Sequence, residues 1–267
     1  MNVDDLVRQH YSNDDLEAIV LDALRRAGAD IDALRIDDLA GLDQLHAGFG
    51  AATEYVVSYL DLSPTETLLD LGSGIGGPAR VAASRTGCRV TGIDLSPDFV
   101  ALARSLTDRL GLGPLVRFDV GSGTELPFGD GSFSRAMLIH VGMNVADKPA
   151  LFAEARRVLE PGGLFAVYDQ MRTGPGELTY PMPWADDATS SFVESRERYA
   201  ELLDAAGFRI ELDEDRTAAN AAAGPPQPGT LTPADLFGPG FFDRLGNNIS
   251  AAMSGTLSAV LMVARAT

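Results

Sequence analysis

From residue 67 onward, short apolar runs alternate with amphipathic stretches, and this alternation restricts the fold more than any other feature of the chain. The runs LLDL, CRVTGID, LVRFDV, FSRAMLIHV and LFAVYDQM are separated by helix-like segments at 78–85, 97–110 and 148–159. Continuous apolar runs suit strands covered on both faces. Their alternation with helices implies an α/β fold with a parallel, doubly wound sheet. Pro97 follows Ser96 as a first helical residue follows its cap, and Pro161-Gly162-Gly163 reads as a tight turn into the next strand. SRERYAELLDAAGFRIELDE adds a helix and a strand, and TLSAVLMVARA reads as the closing strand.

The residues before this pattern are different. Leu16, Ile19, Val20, Ala23, Leu24 and Ala27 recur at the spacing of a helix with one buried stripe, with Asn13 or Asp14 as its cap and His10 and Tyr11 near its start. A second helix is expected over 51–60. The division is therefore an N-terminal helical segment at 1–60 and a main domain at 61–267. Two stretches of the main domain, 171–195 and 218–250, break the periodicity and have the character of insertions that shape a substrate site.

The chain has 267 residues, 45% of them apolar, enough for a substantial core. With 38 acidic against 21 basic residues its formal charge is −17. That charge repels phosphate backbones and anionic bilayers, which argues against nucleic acid and membrane as partners. Cys88 is the only cysteine and forms neither an internal disulfide nor a thiolate metal site by itself, so it is read as core; no His or Cys cluster has metal-ligand spacing, and no metal is expected. No stretch reaches the ~18 uninterrupted apolar residues of a bilayer span, and the first residues lack a secretory pattern. A cytoplasmic location is expected.

The first run leads into LLDLGSGIGGPAR, which places four glycines within residues 72–77. Gly72, Gly74 and Gly77 satisfy the GxGxxG of dinucleotide sites, whereas Asp70, Gly72, Gly74 and Gly76 satisfy DxGxGxG. In either case the missing side chains let backbone approach a ligand closely. A carboxylate at Asp70 is awkward for a pyrophosphate and suits a ligand with an ammonium group. Asp94 ends the next run twenty residues after Gly74, where a carboxylate can accept from two ribose hydroxyls or cap the following helix.

Taken in order, DLGSGIGG, GIDLSPDFVALAR, TELPFGDGSFSRAML and EARRVLEPGGLFAVYDQ closely resemble the successive motifs of class I S-adenosylmethionine-dependent methyltransferases of the small-molecule type. HYSNDDLEAIVLDAL and DQLHAGFGAAT resemble the helical lead-in of bacterial members. The resemblance implies a Rossmann-like doubly wound sheet of about seven strands, mostly parallel with an antiparallel last strand, plus an N-terminal helical lid. It implies S-adenosylmethionine as cofactor and a small-molecule N, O or C nucleophile as methyl acceptor, as in natural-product biosynthesis. Carried over by position, Asp70, Gly72, Gly74 and Gly76 surround the methionine portion, Asp94 holds the ribose and Leu95 lies against the adenine. Where the family commonly places an acid for the adenine amino group, this chain has Gly121-Ser122-Gly123-Thr124, so the backbone of Gly123 or Thr124 is the substitute. Two other readings stay open: a cyclase that keeps the cofactor without methylating, and a nicotinamide oxidoreductase. A homo-oligomer also stays open.

Candidates for the acceptor side follow partly from the same resemblance, for the histidines, and partly from side-chain chemistry, for the aromatic residues. His140, in LIHVGMN, falls beside the sulfonium, as a general base, a cofactor-positioning group or packing. His46 is the only comparable candidate for a catalytic base; with Gln44 and Phe49 in DQLHAGFG, it either lines the pocket or makes ordinary interhelix contacts. Tyr180 and Trp184, in YPMPWADD, either enclose an apolar acceptor, stabilise a cationic one or anchor a loop at the sheet edge. Phe241 and Phe242 offer a further apolar wall or core. HVGMNVADK also resembles methyltransferases of small amines such as sarcosine.

Overall fold

The computed structural model describes residues 16–222 and 231–267. The readings of His10, Tyr11, Asn13 and Asp14 lie outside the described residues. Seven strands form one sheet: β1 (Thr67–Leu71), β2 (Arg89–Asp94), β3 (Val116–Val120), β4 (Phe133–Ile139), β5 (Leu159–Arg172), β6 (Phe208–Asp215) and β7 (Leu257–Ala266). Their spatial order is β3-β2-β1-β4-β5-β7-β6. The pairs among β1 to β5 are parallel, and β7 is antiparallel to both β5 and β6. The strand order reverses between β1 and β4, the crevice where ligands of such sheets bind.

Ten helices are described: α1 (Leu16–Arg26), α2 (Ile36–Leu39), α3 (Phe49–Ser58), α4 (Gly77–Thr86), α5 (Pro97–Arg109), α6 (Lys148–Val158), α7 (Arg196–Ala205), α8 (Thr217–Ala222), α9 (Ala234–Phe237) and α10 (Phe241–Met253). The strand period of two sorts the central residues onto the two faces. Leu69, Leu138, Phe165 and Val167 pack with α6 and α7, whereas Leu68, Met137, Ala166 and Tyr168 pack with α3, α4 and α5. Both faces are covered, which is why these strands read as unbroken apolar runs. Ser96 caps α5 by accepting from the Phe99 amide at 3.3 Å, ahead of Pro97, as the sequence indicates. Cys88 is fully buried.

The N-terminal residues do two jobs. Helix α1 turns its apolar stripe onto α5, where Val20 and Leu24 meet Phe99, Leu102 and Leu106 together with Ile75 of the glycine loop. Helix α3 instead joins the core beneath the sheet through Ala52, Val56 and Val57. One local expectation is corrected. Pro161-Gly162-Gly163 is not a turn ahead of β5 but lies within it: Leu159 already pairs with Phe133, the register then shifts, and Gly162 absorbs the irregularity with φ +80°.

Candidate active site

The loop after β1 shows why its glycines are needed. Gly72, Gly74 and Gly76 have φ of +72°, +52° and +86°, a region that side chains disfavour. Their surroundings differ. A Cβ at Gly72 would lie 2.3 Å from a Val141 methyl, and one at Gly76 would lie 2.5 Å from the Phe118 ring, so both face packed protein. A Cβ at Gly74 would meet nothing within 4 Å, which leaves its backbone open to a ligand. Gly77 answers to a different demand: a Cβ there would lie 2.1 Å from the Asp43 carbonyl oxygen. The chain before α3 passes directly over the start of α4.

Above this loop is a cavity of about 1410 Å³ along the carboxyl edge of the sheet. It is larger than the ~300–1,000 Å³ typical of single small-ligand sites and has room for two. Gly72, Gly74, Asp94, Leu95, Gly123, Thr124 and His140 line it, as do Gln44, His46, Phe49 and Trp184. Asp70 and Gly76 are behind the wall rather than on it. Tyr180 packs with Trp184 in a satellite cluster and is not among the described residues that line the cavity. Phe241 and Phe242 both line it.

Asp94 is held from two sides. One carboxylate oxygen accepts from the Gly74 amide at 2.8 Å and the other from the Ser96 amide at 2.9 Å. Its burial raises its pKa, which those two bonds oppose. Each oxygen keeps a lone pair that can accept from one of two adjacent hydroxyls. Ser122, by contrast, is turned into its own loop: its hydroxyl lies 2.8 Å from that of Thr124 and accepts from the Thr124 amide. Beneath the loop, Asp70 is 1% exposed and one of its carboxylate oxygens has no hydrogen-bond partner. Burial, reinforced by the nearby Asp94, raises its pKa to about 8. The Arg80 guanidinium opposes that rise only in part. Buried Ser73 Oγ and His140 Nε2 also have no partner. An open glycine cradle, a paired-hydroxyl acceptor and a buried carboxyl with one oxygen lacking a hydrogen-bond partner together fit a nucleoside that carries positive charge.

Residues 69–167 match the family of the methyltransferase domain. Over these residues the chain is a methyltransferase domain. A sterol 24-C-methyltransferase of Eremothecium gossypii is 31% identical to it over 170 residues, which cover 61% of this chain and 45% of the relative. The chain spans less than half the length of the first curated relatives it matches. Among solved structures, the [4+2]-cyclase SpnF superposes with a TM-score of 0.63 at 27% identity and 80% coverage of both chains. A geranyl diphosphate methyltransferase in complex with SAM superposes with a TM-score of 0.64 at 24% identity, covering 81% of this chain and 85% of that one.

The two histidines, far apart in sequence, are brought together at this cavity. His140 directly follows β4 with φ +54°, an unusual conformation for a side-chain-bearing residue, and its amide donates to the Tyr168 carbonyl at 2.7 Å. Its ring is 5.9 Å from that of His46 and 5.2 Å from that of Tyr168. His46 Nε2 lies 3.0 Å from the Phe49 carbonyl, which can only accept, so this nitrogen carries the proton. Burial lowers the pKa of His46 to about 4 and also holds His140 well below the usual imidazole range. Both rings are therefore neutral near pH 7 and weak as bases.

Gln44 lines the cavity and is also tied into the protein. Its amide nitrogen donates to Asp43 at 2.9 Å and its oxygen accepts from the Thr53 hydroxyl at 2.6 Å. Thr53 is also 3.0 Å from His46 Nε2, and Asp43 pairs with the Arg80 guanidinium at 2.9 Å. A continuous buried polar chain thus joins His46 to α4. Thr53, Arg80, Tyr168 and Asn220 were not legible as parts of this region. Tyr168 donates to the Ala47 carbonyl at 3.0 Å and accepts from Asn220 at 2.6 Å, across long sequence separations that leave no local pattern. Trp184 is 4% exposed and donates to the Ser191 hydroxyl at 3.0 Å, so it both anchors its loop and presents a face to the cavity.

Among the described residues no helix is long and apolar enough to cross a membrane, and no three His, Cys, Asp or Glu side chains group as a metal site.

Proposed function

We propose that this protein transfers the methyl group of S-adenosylmethionine to an N, O or C nucleophile of a small molecule by in-line displacement. The observation that carries the reading is the pairing of the open Gly74 backbone with the Asp94 carboxylate at the mouth of a cavity with room for two ligands. When bound, the cofactor supplies a methyl group on a sulfonium whose leaving group is already activated by its charge. Asp94 accepts from the ribose hydroxyls, Leu95 contacts the adenine and the backbone of residues 72–75 follows the methionine portion. Residues 43–49, fastened over α4, serve as the lid that keeps water out, in line with a helical lead-in at 1–60 and a main domain at 61–267. Holding donor and acceptor in line can itself supply ~7–11 kcal/mol. Incubation of the protein with labelled methyl donor and a panel of acceptors tests the reading. It also separates it from a cyclase that retains the methyl group.

Asp94→Ala is expected to weaken cofactor binding about a hundredfold or more, because two charge-assisted bonds worth ~1.5–3 kcal/mol each are lost. Calorimetry that returns the wild-type affinity would remove Asp94 from its assigned role.

His46 and His140 are assigned to placement of the reacting groups rather than proton removal. With His46 titrating at about 4 and His140 also depressed, turnover between pH 6 and 9 is expected to show no imidazole ionisation. A rate profile with a midpoint near 6.5 that disappears in His46→Asn would assign it the role of base instead.

A further inference from the structure

We propose that the acceptor of this site is a neutral, mostly apolar molecule with a hydroxyl or N–H group, larger than a simple amine and bound along α10, and that anionic and zwitterionic acceptors are excluded. This rests on the methyltransferase reading and deepens it. The charge of the wall is the first ground. Among the described residues that line the cavity, the only charged ones are Asp43, Asp94 and Asp215, with no Lys or Arg. The nearby cations are committed elsewhere. Lys148 donates to the carbonyls of Val145 and Phe192, Arg244 to the Met182 carbonyl at 2.9 Å and to Asp186, and Arg216 pairs with Glu214 at 2.7 Å. A phosphate or carboxylate leaving water for this wall would find no counter-charge, and the chain's formal charge of −17 adds to the cost.

The second ground is independent of charge. Leu245, Ile249 and Met253 recur every four residues on one face of α10 and line the cavity with Phe242. Much of this face is open to solvent: Ile249 is 49%, Phe242 57% and Met253 84% exposed, Leu245 is half-buried, and Ala251 is the helix's buried residue. A contiguous apolar surface beside a cavity is the mark of a ligand that covers it. The third ground gives the polar handle. Gln170, on β5, is 3% exposed and lines the cavity, and its side-chain oxygen is buried without a partner. The Asn248 oxygen on α10 is in the same condition. Both are acceptors, which call for a donor on the ligand.

The test uses the full chain with Nile red, a neutral apolar fluorophore, displaced by farnesol, by farnesyl phosphate and by sarcosine. Calorimetry with S-adenosylmethionine runs in parallel. Farnesol is expected to displace the dye at least tenfold more effectively than farnesyl phosphate, and sarcosine not at all. Ile249→Lys and Met253→Lys, at exposed positions where folding is not at stake, are expected to weaken farnesol at least fivefold and to narrow or invert the preference. Cofactor affinity should stay within twofold in both. Equal or better displacement by farnesyl phosphate or sarcosine, or lysine variants that change neither ligand, would overturn the proposal while cofactor binding left the methyltransferase reading intact. Failure to bind cofactor would bring down both.

Discussion

Arg80→Ala is expected to destabilise the protein by about 3–5 kcal/mol, the usual cost of removing one partner from a buried ion pair. Arg80 and Asp43 are each almost fully buried and 2.9 Å apart, and Arg80 also donates to Thr107 at 3.2 Å. Without the guanidinium, the Asp43 carboxylate would remain in a site whose burial already raises its pKa. Asp43 would have to take up a proton, or the chain that carries it would have to lift from α4. The second outcome reaches the cavity, because Asp43 holds Gln44, Gln44 holds Thr53, and Thr53 meets His46. Urea denaturation of wild type, Arg80→Ala and the double variant Asp43→Asn/Arg80→Met checks this. The double variant is expected to recover much of the loss, since it leaves no charge without a partner. A single variant within 1 kcal/mol of wild type would show that the pair is not what fastens the N-terminal residues.

Asp70→Asn is expected to separate cofactor affinity from stability, and in opposite directions. The Asp70 carboxyl titrates at about 8 in the protein without cofactor because burial and Asp94 both resist its charge. A cation bound over the loop favours the ionised form, so binding is coupled to release of a proton. Wild-type affinity should therefore rise with pH up to about 8, by as much as tenfold per unit, and level off above it. Asn cannot ionise. Its affinity should be insensitive to pH over this range and, at pH 9, about ten- to a hundredfold weaker than wild type, as expected for ~1.5–3 kcal/mol from one charged partner. The sign for folding is the reverse. A carboxyl whose pKa is raised on folding lowers stability progressively as pH rises from about 4 to about 8. The two proteins should then melt together near pH 4 without cofactor, and the variant should melt progressively higher than wild type from there up to about pH 8, the gap holding at pH 9. Calorimetric affinities that run parallel in the two proteins across pH would dismiss the assignment.

The seven strands and the helices α4 to α7 were legible because each rests on a local rule. Strands buried on both faces need unbroken apolar runs, a helix N-terminus takes Ser96-Pro97, and a cradle for a ligand needs Gly74 without a side chain. The glycine run even satisfied two motifs at once for a reason that became visible only in the fold. Gly72, Gly74 and Gly76 supply conformation, while Gly77 makes room for the Asp43 backbone arriving from 34 residues earlier in the chain. Tyr180 stood beside Trp184 in an aromatic loop, yet only Trp184 faces the cavity. No spacing within an irregular loop distinguishes two such neighbours.

What the order of residues decides by itself is the class of fold, a glycine loop open to a ligand and the acid at Asp94, since all three follow from the period of a strand, the freedom of a glycine and the end of an apolar run. The meeting of His46 with His140, the chain from His46 through Thr53, Gln44 and Asp43 to Arg80, and the Lys- and Arg-free wall faced by α10 were decided only in three dimensions. Each depends on segments far apart in sequence whose side chains find one another only after the sheet has closed, and burial then sets their charge.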